Sequence, residues 1–196
     1  MYKLASTFDT GLRMTKLPRS FYDRDPVIVA QELLGMHLIH VCRGVKRVGR
    51  IVEVEAYLGP HDLASHSSKG RTARTEVLFG RPGYAYVYMI YGLHYCMNVV
   101  TQAEGVASAV LLRALEPVMN VSGRTCGPGL LCKAMHIDRR QNRQDLTGAT
   151  LYIAAPTQLR SGRVERRRRI GVDYAGRWAK RLLRFYLKDS SCVSQP

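Results

Sequence analysis

Runs of alternating apolar and polar residues, cut short by Gly and Pro, fill residues 36–117 and constrain the fold more than any other feature of the chain. MHLIHVC is bounded by Arg43-Gly44, and VGRIVEVEAYLG alternates until Gly59-Pro60. GYAYVYMIYGLHYCMNVVTQ reads as two strands reversing near Tyr91-Gly92-Leu93-His94, and ASAVLLRALEP as a further apolar strand closed by Glu116-Pro117. Period-two alternation sends successive side chains to opposite faces of a strand, and Gly or Pro ends the run. No βαβ spacing repeats, which argues against a parallel sheet. The pattern predicts an α+β fold: one compact domain with a curved, mainly antiparallel sheet and short flanking helices. Asp25-Pro26 before VIVAQELLG predicts a helix over Pro26 to Leu34, with Asp25 as cap, Pro26 in the first turn and Gly35 just past the end. Gly127-Pro128-Gly129 opens a second short helix in LLCKAMHI. Residues 1–20 read as an N-terminal segment, partly flexible, 21–188 as the domain and 189–196 as a C-terminal tail.

Charge narrows the partners. Thirty Lys+Arg against fifteen Asp+Glu leave a net charge of +15, which points to nucleic acid or an anionic membrane surface. No run of apolar residues reaches membrane-spanning length, and MYKLASTFDTGLRMTKLP lacks an apolar leader core, so an intracellular protein without a membrane partner is expected. From Asp138 the charge is concentrated in DRRQNRQD, then Arg160, Arg163, Arg166, Arg167, Arg168 and Arg169. This tract reads as a phosphate-tracking surface, against the plainer alternative of a solvated loop that aids solubility. The five cysteines are odd in number and form no CxxC pair, which argues against a disulfide framework and a thiolate zinc site. Most are expected to be small buried hydrophobes of a reducing compartment.

Three groups of residues could carry chemistry. Val52, Val54 and Ala56 fall on one strand face and Glu53, Glu55 and Tyr57 on the other, where a carboxylate beside a ring combines a general base with a stacking platform. An ordinary solvent face explains that segment equally simply. Tyr84, Tyr86 and Tyr88 share a face and Tyr95 lies on the returning strand, a set that cross-strand packing accounts for. Tyr91, beside Gly92 at the reversal, is poorly placed for burial and suits insertion into a base stack. Finally, His61, Asp62 and His66 lie near Glu53 and Glu55 in sequence, types that suit a divalent ion. Their spacing fits no tight metal pattern, and a polar loop contacting phosphates is the simpler reading.

Several blocks together resemble the methylpurine (alkyladenine) DNA glycosylases: RIVEVEAYLGPHDLASHS, RPGYAYVYMIYGLHYCMNVV, VLLRALEP, CGPGLLCKAMHI and RIGVDYAGRWAKRLLRFY, in the family's order from about Phe21 to Tyr186. The resemblance implies excision of alkylated or deaminated purines from double-stranded DNA by a monomer that needs neither metal nor other cofactor, and a protruding β-hairpin that intercalates. It implies Glu55 as the general base activating water, Arg113 and the Ile170 carbonyl as further water contacts, and Tyr57, His66 and Tyr88 as the pocket around the flipped base. Asn98 matches the asparagine that disfavours ordinary guanine, and Tyr91 the residue that fills the hole in the duplex. Leu130 departs from the family, standing where relatives often carry Lys; Asp173-Tyr174 and His136 receive no role. Two rivals remain at this point: a non-catalytic nucleic-acid-binding protein, and a metal-dependent nuclease built on Glu53, Glu55, Asp62 and His66.

Overall fold

The computed structural model describes residues 14–158 and 162–195. Arg160 and most of the N-terminal segment therefore lie outside the described residues. Nine strands and three short α-helices follow one another: β1 (Met14–Lys16), α1 (Arg19–Tyr22), α2 (Pro26–Leu33), β2 (His37–Cys42), β3 (Val45–Tyr57), β4 (Ala85–Ile90), β5 (His94–Thr101), β6 (Ser108–Met119), α3 (Pro128–Ala134), β7 (Leu151–Pro156), β8 (Val164–Arg167) and β9 (Arg184–Leu187). All their pairings are antiparallel. The sheet runs β1-β7-β2-β3-β6-β5-β4, and β9, which carries β8, also pairs with β3. The α+β architecture read from the alternation is the one observed.

Local chemistry explains the elements. The Asp25 carboxylate accepts from the Val27 and Ile28 amides, Pro26 occupies the first turn of α2, and Gly35 follows the helix at φ 86°. Arg43 (φ 53°) and Gly44 (φ 74°) make the tight turn between β2 and β3. The main core lies between sheet and helices, where Leu33 of α2 and Leu131 of α3 are buried with Ile51, Leu112, Leu115 and Phe185 from the strands.

Three expectations need correction. β6 does not close at Glu116-Pro117 but continues to Met119, with Pro117 paired opposite Gly49 beside a register shift, the kind of irregularity at which a strand tolerates proline. Of the five cysteines only Cys96 and Cys132 are buried; Cys42, Cys126 and Cys192 are half-buried, and none is in a disulfide. The basic tract is not one continuous phosphate-tracking surface, nor one solvated loop. Val164–Arg167 form β8, and Arg169 is buried against Asp62.

Candidate active site

β3 is the spine of the site. β2 pairs with its first half and β9 with Glu53–Glu55 on the same edge, while β6 runs along the other, so the second half of β3 is internal. Glu53 and Glu55 are both 0 % exposed, which overturns the solvent-face explanation of this segment. The β3–β6 register shifts on either side of Glu53, leaving Val52 and Arg113 without facing partners. Such bulges re-aim side chains. Arg113 spans the two carboxylates, with Nε 3.4 Å from Glu53 Oε1 and Nη1 3.3 Å from Glu55 Oε1. Burial works against the Arg113 charge, but Glu55 and Glu53 outweigh it and its pKa is raised.

Glu55 is held from three sides. Its Oε1 also accepts the Ile170 amide at 2.8 Å, and its Oε2 accepts the Tyr57 hydroxyl at 2.9 Å. It is thus the amide of Ile170 that touches Glu55. Burial, then the charge of Glu55, pushes the Tyr57 phenol well above its ordinary range, so it stays protonated and keeps donating. Over the Tyr57 ring lies the Arg169 guanidinium, 4.7 Å from the centroid. Arg169 is itself pinned by two bonds to the buried Asp62 carboxylate, which also accepts the Leu58 and Ala64 amides.

In front of this network opens a cavity of about 390 Å³ lined by Tyr57, His66, Tyr88, Asn98, Arg113 and Ile170, with Tyr91 at its edge. That volume suits a small ligand, typically ~300–1,000 Å³. Glu55 itself lies behind the lining residues. The ring centroids of His66 and Tyr88 are 4.6 Å apart, and His66 Nδ1 bonds the Tyr86 hydroxyl at 2.9 Å. Burial, then the nearby Arg74 charge, lowers the His66 pKa to about 4, so the ring is neutral at physiological pH. Asn98 lines the wall, its Nδ2 donating to the Tyr86 carbonyl at 3.2 Å. Tyr91 forms, with Gly92 and Leu93, the connection from β4 to β5; it is 90 % exposed with φ 53°. Leu93 beside it is 74 % exposed.

Every site residue inferred from sequence thus gathers at or directly behind one cavity. The metal-nuclease constellation of Glu53, Glu55, Asp62 and His66 does not gather. His66 bonds the Tyr86 hydroxyl, Asp62 spends its oxygens on Arg169 and two amides, Glu55 accepts Tyr57 and the Ile170 amide, and Glu53 accepts Arg184 and Ser194. Among the described residues no three His, Cys, Asp or Glu side chains group as metal ligands. Sequence reasoning missed Tyr86, whose alternation with Tyr88 was visible but whose bond to His66 was not. It also missed Tyr174, 70 % exposed at the cavity and donating to the Ala64 carbonyl.

Comparison with known proteins identifies the family. The description "Methylpurine-DNA glycosylase (MPG)" belongs to the family matched over residues 20–191. A Legionella pneumophila (strain Corby) protein named "Putative 3-methyladenine DNA glycosylase" is 58% identical over 182 residues, covering 93% of this chain and 100% of its own. A protein of the same name from Myxococcus xanthus is 52% identical over 184 residues, covering 93% of this chain and 95% of its own. The chain belongs to the methylpurine-DNA glycosylase family.

Proposed function

We propose that this protein is a monofunctional purine DNA glycosylase, which flips alkylated purines, and neutral lesions such as hypoxanthine and ethenoadenine, out of duplex DNA and hydrolyses the N-glycosidic bond. The observation that carries the reading is a fully buried carboxylate, Glu55, fixed by Arg113, Tyr57 and the Ile170 amide behind an aromatic cavity whose edge bears an exposed tyrosine. A base in the stack hides its glycosidic bond, so the nucleotide must be extruded at a cost of a few kcal/mol, less where damage has weakened pairing. Tyr91 offsets part of this cost by filling the vacated space. Arg166, Arg167 and Arg168, exposed on or beside β8, contribute phosphate contacts.

Inside the cavity the base stacks among Tyr57, His66 and Tyr88. Electron-rich rings favour a cationic methylated purine. With Arg169 over one side of the Tyr57 ring, the base takes the cavity side. Asn98, with an amide donor at the wall, disfavours the exocyclic amino group of normal guanine. Glu55 takes a proton from water as that water attacks the anomeric carbon, and its charge stabilises the positive charge growing on the sugar. Arg113 and the Ile170 carbonyl orient the same water. The domain over residues 21–188 works as a monomer inside the cell and requires no metal or other cofactor.

The test is base release from methylated duplex DNA in EDTA, with borohydride present in a parallel sample. Free 3-methyladenine, an alkali-labile abasic site and no trapped protein–DNA adduct are expected. Dependence on a divalent ion, strand scission without alkali, or a borohydride-trapped adduct would contradict the reading.

A further inference from the structure

β9 ends at Leu187 and the chain turns back at once, the Ser190 amide donating to the Leu187 carbonyl at 3.2 Å. Cys192 then packs against the main core, and Ser194 arrives at Glu53. Two bonds form there: the Ser194 amide to Oε2 at 2.7 Å and its hydroxyl to Oε1 at 2.9 Å. Arg184, in turn, donates from Nη1 to Glu53 Oε1 at 2.8 Å and to the Gln195 carbonyl, tying the segment down on its far side. The Ser194 hydroxyl also lies 3.5 Å from Arg113 Nη2. Residue 194 falls past the 20–191 family match and outside the cavity lining.

A fully buried carboxylate is stable only when its lone pairs are taken. Glu53 uses Arg184 and both donors of Ser194 to meet that demand, while Arg113 Nε stands 3.4 Å away as an ion pair without a hydrogen bond. Arg113 is shared, with one nitrogen on Glu53 and another on Glu55. Without the Ser194 donors, Glu53 must recruit a replacement, and Arg113 Nε, 3.4 Å away and without a hydrogen bond of its own, is the donor at hand. Each step of Arg113 towards Glu53 is a step away from Glu55.

We infer that the C-terminal segment at residues 192–195 is a positioning element for catalysis: Ser194 holds Glu53, Glu53 sets Arg113, and Arg113 sets Glu55. Ser194 touches no reacting atom. The inference rests on the reading of Glu55 as general base, and its test separates the two.

Single-turnover excision from methylated duplex is compared for wild type, Ser194→Ala, Ser194→Thr, Ser194→Pro and Glu55→Gln, with duplex affinity and thermal melting measured on each. Proline removes both donors, alanine one and threonine neither. Misplacement of this kind costs up to about a hundredfold, so Ser194→Pro is expected to be slowed about tenfold to a hundredfold and Ser194→Ala less, with duplex affinity unchanged. Threonine restores the wild-type rate. The Ala and Thr variants keep the comparison sound where the Pro variant folds poorly. Wild-type rates for both Ala and Pro variants beside an inactive Glu55→Gln overturn this inference alone. So do losses that follow only the unfolded fraction and vanish on cooling. Full excision by Glu55→Gln removes the reading underneath, and this inference with it.

Discussion

Tyr57 donates its hydroxyl to Glu55 while its ring lines the cavity, so substitutions can separate the two contributions. Phenylalanine keeps the ring and leaves a buried carboxylate oxygen short of one donor. Hydrogen bonds to charged groups contribute ~1.5–3 kcal/mol, and Tyr57→Phe is expected to slow excision about tenfold to a hundredfold without weakening lesion binding. Tyr57→Ala loses both contributions and should bind lesion DNA less tightly as well; equal binding by the two variants would contradict a stacking role. His66 offers a second readout. Its pKa near 4, set by burial and then by Arg74, lies below the ordinary histidine value. Between pH 6.5 and 4 the unfolded chain takes up a proton that the folded protein refuses, so stability falls as pH drops through that window and the His66 share is fully retained only above it. An NMR titration should place the His66 midpoint near 4; a midpoint near 6.5 would mean that the ring is solvated.

On the proposed reading, the connection between β4 and β5 sets backbone strain against function. Tyr91 holds φ 53°, a left-handed conformation that costs an L-residue about 1–2 kcal/mol, whereas glycine adopts it freely. Tyr91→Gly is therefore expected to leave the melting temperature unchanged or raised, while slowing excision from duplex DNA. A fall in both would show that Tyr91 contributes to the fold and not to base extrusion. Among the elements, those legible in the sequence are those with a local cause: the Asp25 cap, the Gly and Pro boundaries, and the period-two faces of β3, β4 and β5. Two strands were not legible, one of them a partner of β3. β9, which pairs with Glu53–Glu55, lies inside a basic stretch with no clear alternation, and β7 carries a short apolar run that nothing in the sequence singles out. β9 closes the edge of β3 at Glu53 and Glu55, and their burial could not be read without it. That is why the same residues looked like a solvent face.

Across the whole molecule, the site is closed by contacts that span most of the chain. Asp62 meets Arg169, Glu55 meets the Ile170 amide and Glu53 meets Ser194, separated by 107, 115 and 141 residues. Pairs so distant leave no periodic trace, so alternation could offer Glu55 only beside Glu53, family resemblance alone named Arg113, and nothing named Arg169 or Ser194 as their supports. Charge acts at the same scale. The net +15 of the chain favours a polyanion wherever it docks, and exposed Arg163, Arg166, Arg167 and Arg168 extend it along β8, while Arg169 serves the interior. On the proposed reading the phosphate contacts and the general base are different residues, and one substitution should divide binding from chemistry. The measurement is single-turnover excision of methylated duplex DNA by wild type and Glu55→Gln, with lesion-DNA affinity determined on the same preparations. The amide keeps the shape of the carboxylate but cannot accept a proton from water; lesion binding within a few-fold of wild type and loss of excision by about a thousandfold or more are expected. Excision at the wild-type rate would remove Glu55 from the chemistry and contradict the account at its centre.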